Sequence, residues 1–219
     1  IATGWLDVDL AKEGEKEAEE AGLLIKELNI KFDFAFSSIQ KRALNTLNII
    51  LKTIAEKNIN VVKNWALNEK HYGILQNKNK DEIKKKYGEE KVKQWRRSWD
   101  IAPPPLDHND PSHPLNMEIY KNINRNLIPD TESLKSTYQR AVPYWKENIE
   151  TKLLNNKNII VVAHGNSLRA ILKYLFKISN EKISSLEVPT GNPLLIFLDD
   201  NLNIIKFNYL NEKRAKSII

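Results

Sequence analysis

The sequence contains no cysteine and no apolar run that approaches the roughly 20 residues needed to cross a bilayer. The lack of cysteine excludes disulfides and thiolate metal sites, and it fits a reducing compartment. No basic segment followed by an apolar one is visible as a leader. We therefore expect a cytoplasmic protein with no membrane partner.

The composition is that of one globular domain. The chain has 219 residues, of which 41% are hydrophobic, and five tryptophans. We expect a single domain over residues 1–219. The net charge of +6 fits an acidic small molecule, a nucleic acid, or only the Lys- and Asn-rich bias of an AT-rich coding sequence.

The periodicity of apolar residues predicts alternating helices and strands. Helices are expected at 9–28, 81–87, 90–98, 132–154 and 167–176. A further helix is expected after Ser37 and Ser38, which offer N-cap oxygens, and the helix at 132–154 should be kinked at Pro143. Strands are expected at 32–36, 61–65, 159–163, 194–198 and 204–209. This order indicates an α/β fold, three-layer α/β/α, with a mostly parallel sheet and an antiparallel edge strand. The Pro- and Asn-rich stretch Ala102–Asp130 is predicted to be a lid-like excursion.

The apolar run 159–163 ends in His164-Gly165-Asn166-Ser167, where a helix begins. α/β folds place their chemistry at the carboxyl ends of strands, and free N–H groups at helix starts attract anions. An imidazole beside such an anion site suggests phosphate chemistry. The alternative is a hydrogen-bonded loop histidine without a function.

Two further segments follow predicted strands at the same sheet edge. Arg42 lies at a helix start, where a guanidinium can hold phosphate oxygens. Glu69, His71 and Tyr72 share one irregular segment, in which a carboxylate can act as a general acid or base. The alternatives are a solvated arginine and a polar surface loop.

Arg96 and Arg97 are adjacent and lie between Trp95 and Trp99. Two neighbouring guanidiniums suit a doubly anionic small molecule, whereas arginines interleaved with aromatic residues also suit stacked nucleic-acid bases. A solvated basic helix is the third reading.

His108 and His113 lie near Asp107 and Asp110, but their spacing is not that of a metal site. No metal is predicted there.

Taken together, these segments resemble the cofactor-dependent phosphoglycerate mutases of the histidine phosphatase superfamily. The His-Gly-Asn-Ser match is shared across the superfamily, whereas Glu-x-His-Tyr-Gly and Trp-Arg-Arg are specific to the mutase branch. The matching segments are Thr3-Gly4-Trp5, 38–43, 67–73, 94–98, 163–169 and Pro189-Thr190-Gly191.

The resemblance implies a phosphoglycerate mutase-like fold and a glycolytic enzyme that interconverts 3-phosphoglycerate and 2-phosphoglycerate. The reaction would pass through a phosphohistidine primed by 2,3-bisphosphoglycerate, without a metal. It also implies a homodimer or homotetramer that binds small phosphoglycerates and no nucleic acid.

The resemblance assigns catalytic roles to three residues. Glu69 would handle the hydroxyl proton, His164 would stabilise the transferring phosphoryl group, and Arg42 would bind that group. The implied substrate-binding residues are Thr3, Gly4, Arg42, Glu69, Lys70, His71, Tyr72, Lys80, Arg96, Arg97, Gly165 and Asn166.

The sequence departs from the family in one important respect. The family's nucleophile lies in an Arg-His-Gly motif on a first strand ahead of Thr3-Gly4-Trp5, and none of the four histidines of this sequence can replace it. We therefore expect further residues ahead of Ile1, and a tail after Ile219. Lys70 also stands where an arginine is common in the family, and Asn77 where a glycine is common.

Two other functions remain open. One is a bisphosphoglycerate mutase or a small-molecule phosphatase of the same superfamily. The other is a basic module without catalysis that binds phosphate groups or nucleic acid.

Overall fold

Two sheets organise the computed structural model, which describes residues 2–219. The first contains strands β1 (Phe34–Ser37), β2 (Asn60–Lys63) and β3 (Ile159–Val162), all parallel, in the order β2-β1-β3. The second is an antiparallel pair, β4 (Leu194–Leu198) and β5 (Ile204–Tyr209). The predicted α/β class is confirmed, but the antiparallel strands form a sheet of their own rather than the edge of the parallel one.

Seven α-helices are assigned within residues 2–219. They are α1 (Lys12–Lys26), α2 (Lys41–Thr53), α3 (Lys80–Tyr87), α4 (Glu89–Arg97), α5 (Leu134–Tyr144), α6 (Glu150–Leu154) and α7 (Gly165–Leu175). None of these helices is both long enough and apolar enough to cross a bilayer.

Helices cover both faces of the parallel sheet. Ala35 and Ile160 pack with residues of α1 and α2 on one face. Phe36 packs with residues of α5 and α7 on the other face, together with Val161. Neighbouring residues of a strand pack on opposite faces because successive side chains of a strand point to opposite sides of the sheet.

The parallel register brings the carboxyl ends of the three strands together. Ser37 is opposite Lys63 on one side and Val162 on the other. The segments that follow these strands therefore meet at one edge, as the sequence predicted for Arg42, Glu69 and His164.

The predicted capping of α2 is wrong. Ser37 lies inside β1, and the residue before the helix is Gln40, which makes no side-chain cap. Ser38 Oγ accepts the N–H of Gln40 at 3.2 Å, ahead of the helix, and also contacts His164 across the sheet edge. The helix predicted at 167–176 begins two residues earlier than expected, because α7 starts at Gly165.

The predicted long helix over 132–154 is interrupted after Pro143. A π-helical turn, Trp145–Ile149, separates α5 from α6. Proline has no N–H to donate and its ring crowds the preceding turn, so a local widening of the helix relieves both problems.

The excursion Ala102–Asp130 is built from short 3-10 turns and is anchored in the core. Tyr120 is fully buried, and its hydroxyl donates to the Trp5 carbonyl at 2.5 Å and accepts from Gln40 Nε2 at 3.2 Å. The excursion therefore borders the meeting point of the strand ends. Its movement as a lid stays a prediction.

Candidate active site

Gln40 joins two of the predicted site segments. Its Oε1 accepts the N–H of Glu69 at 2.9 Å, and its Nε2 donates to the carbonyl of Gly4 at 2.9 Å. Arg42 donates to the same Gly4 carbonyl at 2.9 Å and to the Leu6 carbonyl at 2.8 Å. The structure therefore brings Gly4, Arg42 and Glu69 together.

The Glu69 carboxylate is oriented by the backbone. Its Oε1 accepts the N–H of Lys70 at 2.8 Å and the N–H of Asn166, in the first turn of α7, at 3.0 Å. The other oxygen, Oε2, faces Gly165, where an added Cβ would lie 3.9 Å away. One oxygen is thus held in place while the other faces the start of α7.

His164 is buried at the carboxyl end of β3, and its Nε2 lies 2.7 Å from Ser38 Oγ. Burial lowers the pKa of His164 well below its usual value, and the positive charges of Arg42 and Arg140 lower it further. The imidazole is therefore neutral at physiological pH, and its Nε2 is engaged with Ser38.

A small cavity of about 200 Å³ opens beside Glu69. Its polar lining combines one carboxylate with a phenol and three cationic side chains. The residues with polar side chains that line it are Thr3, Glu69, Tyr72, Lys80, Lys84 and Arg96. This charge pattern suits a small molecule that carries more than one anionic group.

Tyr72 is tied to the start of α7. Its hydroxyl accepts from Asn166 Nδ2 at 2.8 Å, and burial raises the pKa of the phenol. Asn166 Oδ1 in turn accepts from Arg169 Nη1 at 3.0 Å, so the amide orientation is fixed from both sides.

Lys70 and His71 are fully buried. The Lys70 ammonium donates to the Trp95 carbonyl at 2.8 Å, and burial lowers its pKa to about 7. His71 Nδ1 accepts the N–H of Gly73 at 2.9 Å, and burial lowers the pKa of His71 to about 3. Substrate binding by these two residues stays a prediction. Their burial favours a structural role, in which they hold the backbone next to the cavity rather than contact a substrate.

Arg97 lies beside the cavity rather than in its lining. Its side chain is 40% exposed and stands 4.0 Å from Glu187 Oε1. A contact between Arg97 and a substrate also stays a prediction, and it would require the guanidinium to turn away from Glu187.

His108 and His113 converge on Asp130, and not on the nearby Asp107 or Asp110. Asp130 Oδ1 lies 2.7 Å from one Nε2 and 2.9 Å from the other. These three residues are close enough to share an ion. However, His113 Nδ1 accepts the N–H of Leu115, which leaves the proton on Nε2 and favours a hydrogen bond to Asp130 over a metal.

Sequence reasoning missed four contributors to the site. Ser38 and Gln40 lie within a matching segment but have no chemical signature of their own. Lys84 could have been found, because it lies one helical turn after Lys80 on the same face of α3. Arg140, far away in the sequence, gave no signal.

The fold and the site define an α/β protein that brings an arginine, a neutral histidine and a carboxylate together at one edge of its parallel sheet. The family model for the histidine phosphatase superfamily (branch 1) matches residues 1–114 and 109–201. A 2,3-bisphosphoglycerate-dependent phosphoglycerate mutase of Pelagibacter ubique is 54% identical over 217 residues, which cover 99% of this chain and 91% of that protein. A protein of the same name from Borreliella burgdorferi is 50% identical over 213 residues, covering 97% and 86%. The chain belongs to the histidine phosphatase superfamily and, within it, to the 2,3-bisphosphoglycerate-dependent phosphoglycerate mutases.

Solved structures support the same fold at lower identity. A mycobacterial glucosyl-3-phosphoglycerate phosphatase complexed with VO3 aligns with a TM-score of 0.68 at 18% identity, covering 95% of this chain and 88% of that one. A putative α-ribazole-5'-P phosphatase from Escherichia coli has the same score and identity, covering 100% and 91%.

Proposed function

We propose that this protein interconverts 3-phosphoglycerate and 2-phosphoglycerate and is primed by 2,3-bisphosphoglycerate. The observation that carries the proposal is that Arg42, Glu69 and His164 line one cavity, and that Glu69 also lines the smaller cavity whose lining carries three cationic side chains. The names of relatives that are half identical in sequence support the same activity.

Glu69 is proposed to move the proton of the substrate hydroxyl. Its Oε1 accepts two backbone hydrogen bonds, which leaves Oε2 as the oxygen that takes the proton when the hydroxyl attacks and returns it in the reverse step.

Arg42 and His164 are proposed to stabilise the transferring phosphoryl group. Charge is spread over the equatorial oxygens of that group, and fixed donors around these oxygens lower the barrier. A neutral His164 can donate one N–H, and an arriving phosphate dianion would favour its protonated form.

Lys80 and Arg96, together with Tyr72, are proposed to hold the carboxylate of the substrate and the phosphate that is not being transferred. Lys84 lines the same cavity and adds a positive charge at its mouth. Thr3, Gly4, Gly165 and Asn166 would complete the phosphate cradle.

We also propose that an Arg-His-Gly strand ahead of Thr3 supplies the phosphoacceptor histidine and lies between β3 and β4. A largely apolar cavity of about 880 Å³ separates these two strands and reaches Arg42, Glu69 and His164. Within residues 2–219, β3 pairs only with β1 and β4 only with β5. One edge of β3 and one edge of β4 therefore have no strand partner among these residues, and we propose that the added strand pairs with both.

A homodimer or homotetramer and a cytoplasmic location remain part of the proposal by family resemblance. Sedimentation of the purified protein at micromolar concentration tests the first of these, and a monomer would contradict it.

The deciding experiment is an assay of the full-length polypeptide with 3-phosphoglycerate and catalytic 2,3-bisphosphoglycerate. We expect 2-phosphoglycerate to form at a rate well above the rate of phosphate release from either substrate. Absence of turnover at micromolar enzyme would overturn the proposal, and faster phosphate release would favour the phosphatase alternative.

Glu69→Gln gives the sharper test of mechanism. Loss of a general acid or base costs typically about 10²–10⁴-fold in rate, so the mutase rate should fall steeply while phosphoryl transfer from 2,3-bisphosphoglycerate to the enzyme persists. Glu90→Gln, at an exposed position of α4, is the matched control and should leave both rates unchanged. A Glu69→Gln variant with the wild-type mutase rate would remove Glu69 from the mechanism.

A further inference from the structure

Glu132 and Arg140 form a buried ion pair that contacts the backbone around Glu69. Neither residue has a substrate-binding or catalytic role in the function proposed above. Arg140 Nε donates to Glu132 Oε2 at 2.7 Å, and Arg140 Nη2 donates to Glu132 Oε1 at 2.9 Å. The two side chains are only 9% and 4% exposed. This is the bidentate geometry that fixes a guanidinium in one orientation.

The remaining donors of Arg140 all reach backbone carbonyls around Glu69. Nη1 donates to Ala66 at 2.8 Å and to Asn68 at 3.0 Å, while Nη2 donates to Glu69 itself at 2.9 Å. One side chain of α5 thus holds three carbonyls of a segment that lies about 70 residues earlier in the chain.

Glu132 holds the same segment from the other side. Its Oε1 accepts the N–H of His71 at 2.9 Å, and its own N–H donates to the His71 carbonyl at 2.9 Å. Together, Glu132 and Arg140 bind the backbone on both sides of Glu69.

The start of α5 orders the backbone next to Glu132. Ser133, the residue that follows Glu132, caps the helix through a reciprocal pair of hydrogen bonds with Ser136. The Arg140 guanidinium also lies 5.6 Å from the centre of the Trp5 ring, which closes its remaining face.

We propose that Glu132 and Arg140 are positioning residues that hold segment 66–71 so that the Glu69 carboxylate meets the substrate hydroxyl. A buried ion pair alone is weak support for stability, because desolvation offsets its attraction. Its value here lies in geometry, since a misplacement of about 1 Å in a reacting group can cost about 10²-fold in rate. This inference rests on the proposed acid or base role of Glu69.

The first test is Arg140→Lys in the full-length protein. Lysine keeps the charge but lacks the planar fork, so it cannot hold Glu132 and three carbonyls at once. We expect kcat of the mutase reaction to fall by at least about tenfold. The KM for 3-phosphoglycerate and the rate of phosphoryl transfer from 2,3-bisphosphoglycerate should change less than twofold.

The same change in a Glu69→Gln background separates positioning from general damage. If Arg140 acts through Glu69, the double variant should be no slower than Glu69→Gln alone. A further drop of the same size in the double variant, or an equal loss of phosphoryl transfer, would overturn the proposal.

Leu51→Ala provides the control for a merely structural effect. Leu51 is buried among residues of α1 and α2, away from segment 66–71. It should lower stability without changing the ratio of mutase rate to phosphoryl-transfer rate. If Leu51→Ala changes that ratio as Arg140→Lys does, the effect is structural and the proposal fails.

Hydrogen exchange supplies a readout that needs no activity. The amides of Glu69 and His71 should exchange at least about tenfold faster in Arg140→Lys, and in the milder Glu132→Gln, than in the wild type. Unchanged exchange in both variants would overturn the inference. An inactive wild-type enzyme whose variants show the expected exchange would instead contradict the proposed function alone.

Discussion

Several side chains of the site derive their chemistry from neighbours that are distant in the sequence. His164 is neutral because it is buried, and because Arg42 and Arg140 repel a proton. Glu69 is oriented by an amide of α7 and by the amide that follows it. Residue type alone therefore names the candidates, but their charge and direction depend on the packing around them.

Lys70 shows most clearly how packing changes the charge of a single side chain. Its ammonium is fully buried and donates to the carbonyl of Trp95, the residue before Arg96. Burial lowers the pKa to about 7, and the charge of Glu69 opposes part of that shift. Lys70 thus fixes the end of α4 beside the cavity, at a cost in desolvation.

We predict that this cost makes stability rise with pH above neutrality. The unfolded chain keeps the Lys70 proton up to about pH 10.5, whereas the folded chain releases it near pH 7. Between these values the unfolded state binds more protons, so the free energy of unfolding increases with pH. Below pH 7 the full penalty remains.

Lys70→Arg is the matched variant, because arginine stays protonated throughout this range. Urea unfolding measured from pH 6.5 to pH 10 should show a steeper rise for the wild type than for Lys70→Arg. Parallel curves for the two proteins would show that Lys70 does not titrate in this window.

At the scale of an element, the turn that begins at Thr3 holds Arg42 and Gln40 in place. Gly4 has φ +50°, and its carbonyl accepts from both of these side chains. An added Cβ would lie 2.6 Å from Gln76 Oε1, which itself accepts the N–H of Trp5. The position therefore requires glycine for both conformation and space.

We predict that Gly4→Ala lowers the free energy of unfolding by about 2–4 kcal/mol, combining left-handed strain with overpacking. The mutase rate should fall as well, because a shift of the turn displaces the Gly4 carbonyl that accepts from Arg42. Gly88→Ala is the control. Gly88 also has positive φ but nothing lies within 4 Å of the added Cβ, so only backbone strain of about 1–3 kcal/mol remains and the mutase rate should not change. A mutase rate that falls as far in Gly88→Ala as in Gly4→Ala would contradict the steric argument.

Element boundaries show where sequence patterns stop being informative. The alternation of Phe34, Ala35 and Phe36 correctly predicted β1, since a buried strand repeats every two residues. The start of α2 was misjudged because Ser38 accepts the N–H of Gln40 ahead of the helix and also contacts His164, which lies 126 residues away. A local pattern cannot reveal such a contact.

At the scale of the whole molecule, the cavity between β3 and β4 carries the prediction for the first strand. We expect that the chain extended ahead of Ile1 by an Arg-His-Gly strand of the family unfolds at a higher temperature than residues 1–219 alone. The physical reason is burial of apolar surface against residues such as Ile160, Val162 and Ile196, which line that cavity.

Two controls separate stability from chemistry. Replacing the histidine of the extension by alanine should keep the gain in melting temperature but abolish phosphoryl transfer from 2,3-bisphosphoglycerate. A scrambled extension of equal length should give neither. Equal melting temperatures with and without the added strand would rule out a strand in this cavity.

The sequence by itself determined the alternation of helices and strands and the family, because apolar period and short motifs are local properties. It also named Arg42, Glu69 and His164, since each follows a predicted strand. The tertiary structure alone decided that Ser38 contacts His164 and that Lys70 and His71 are buried. It also decided that Arg140 and Glu132 form hydrogen bonds with the backbone on both sides of Glu69. These contacts join residues tens of positions apart, so only the folded arrangement of the chain can specify them.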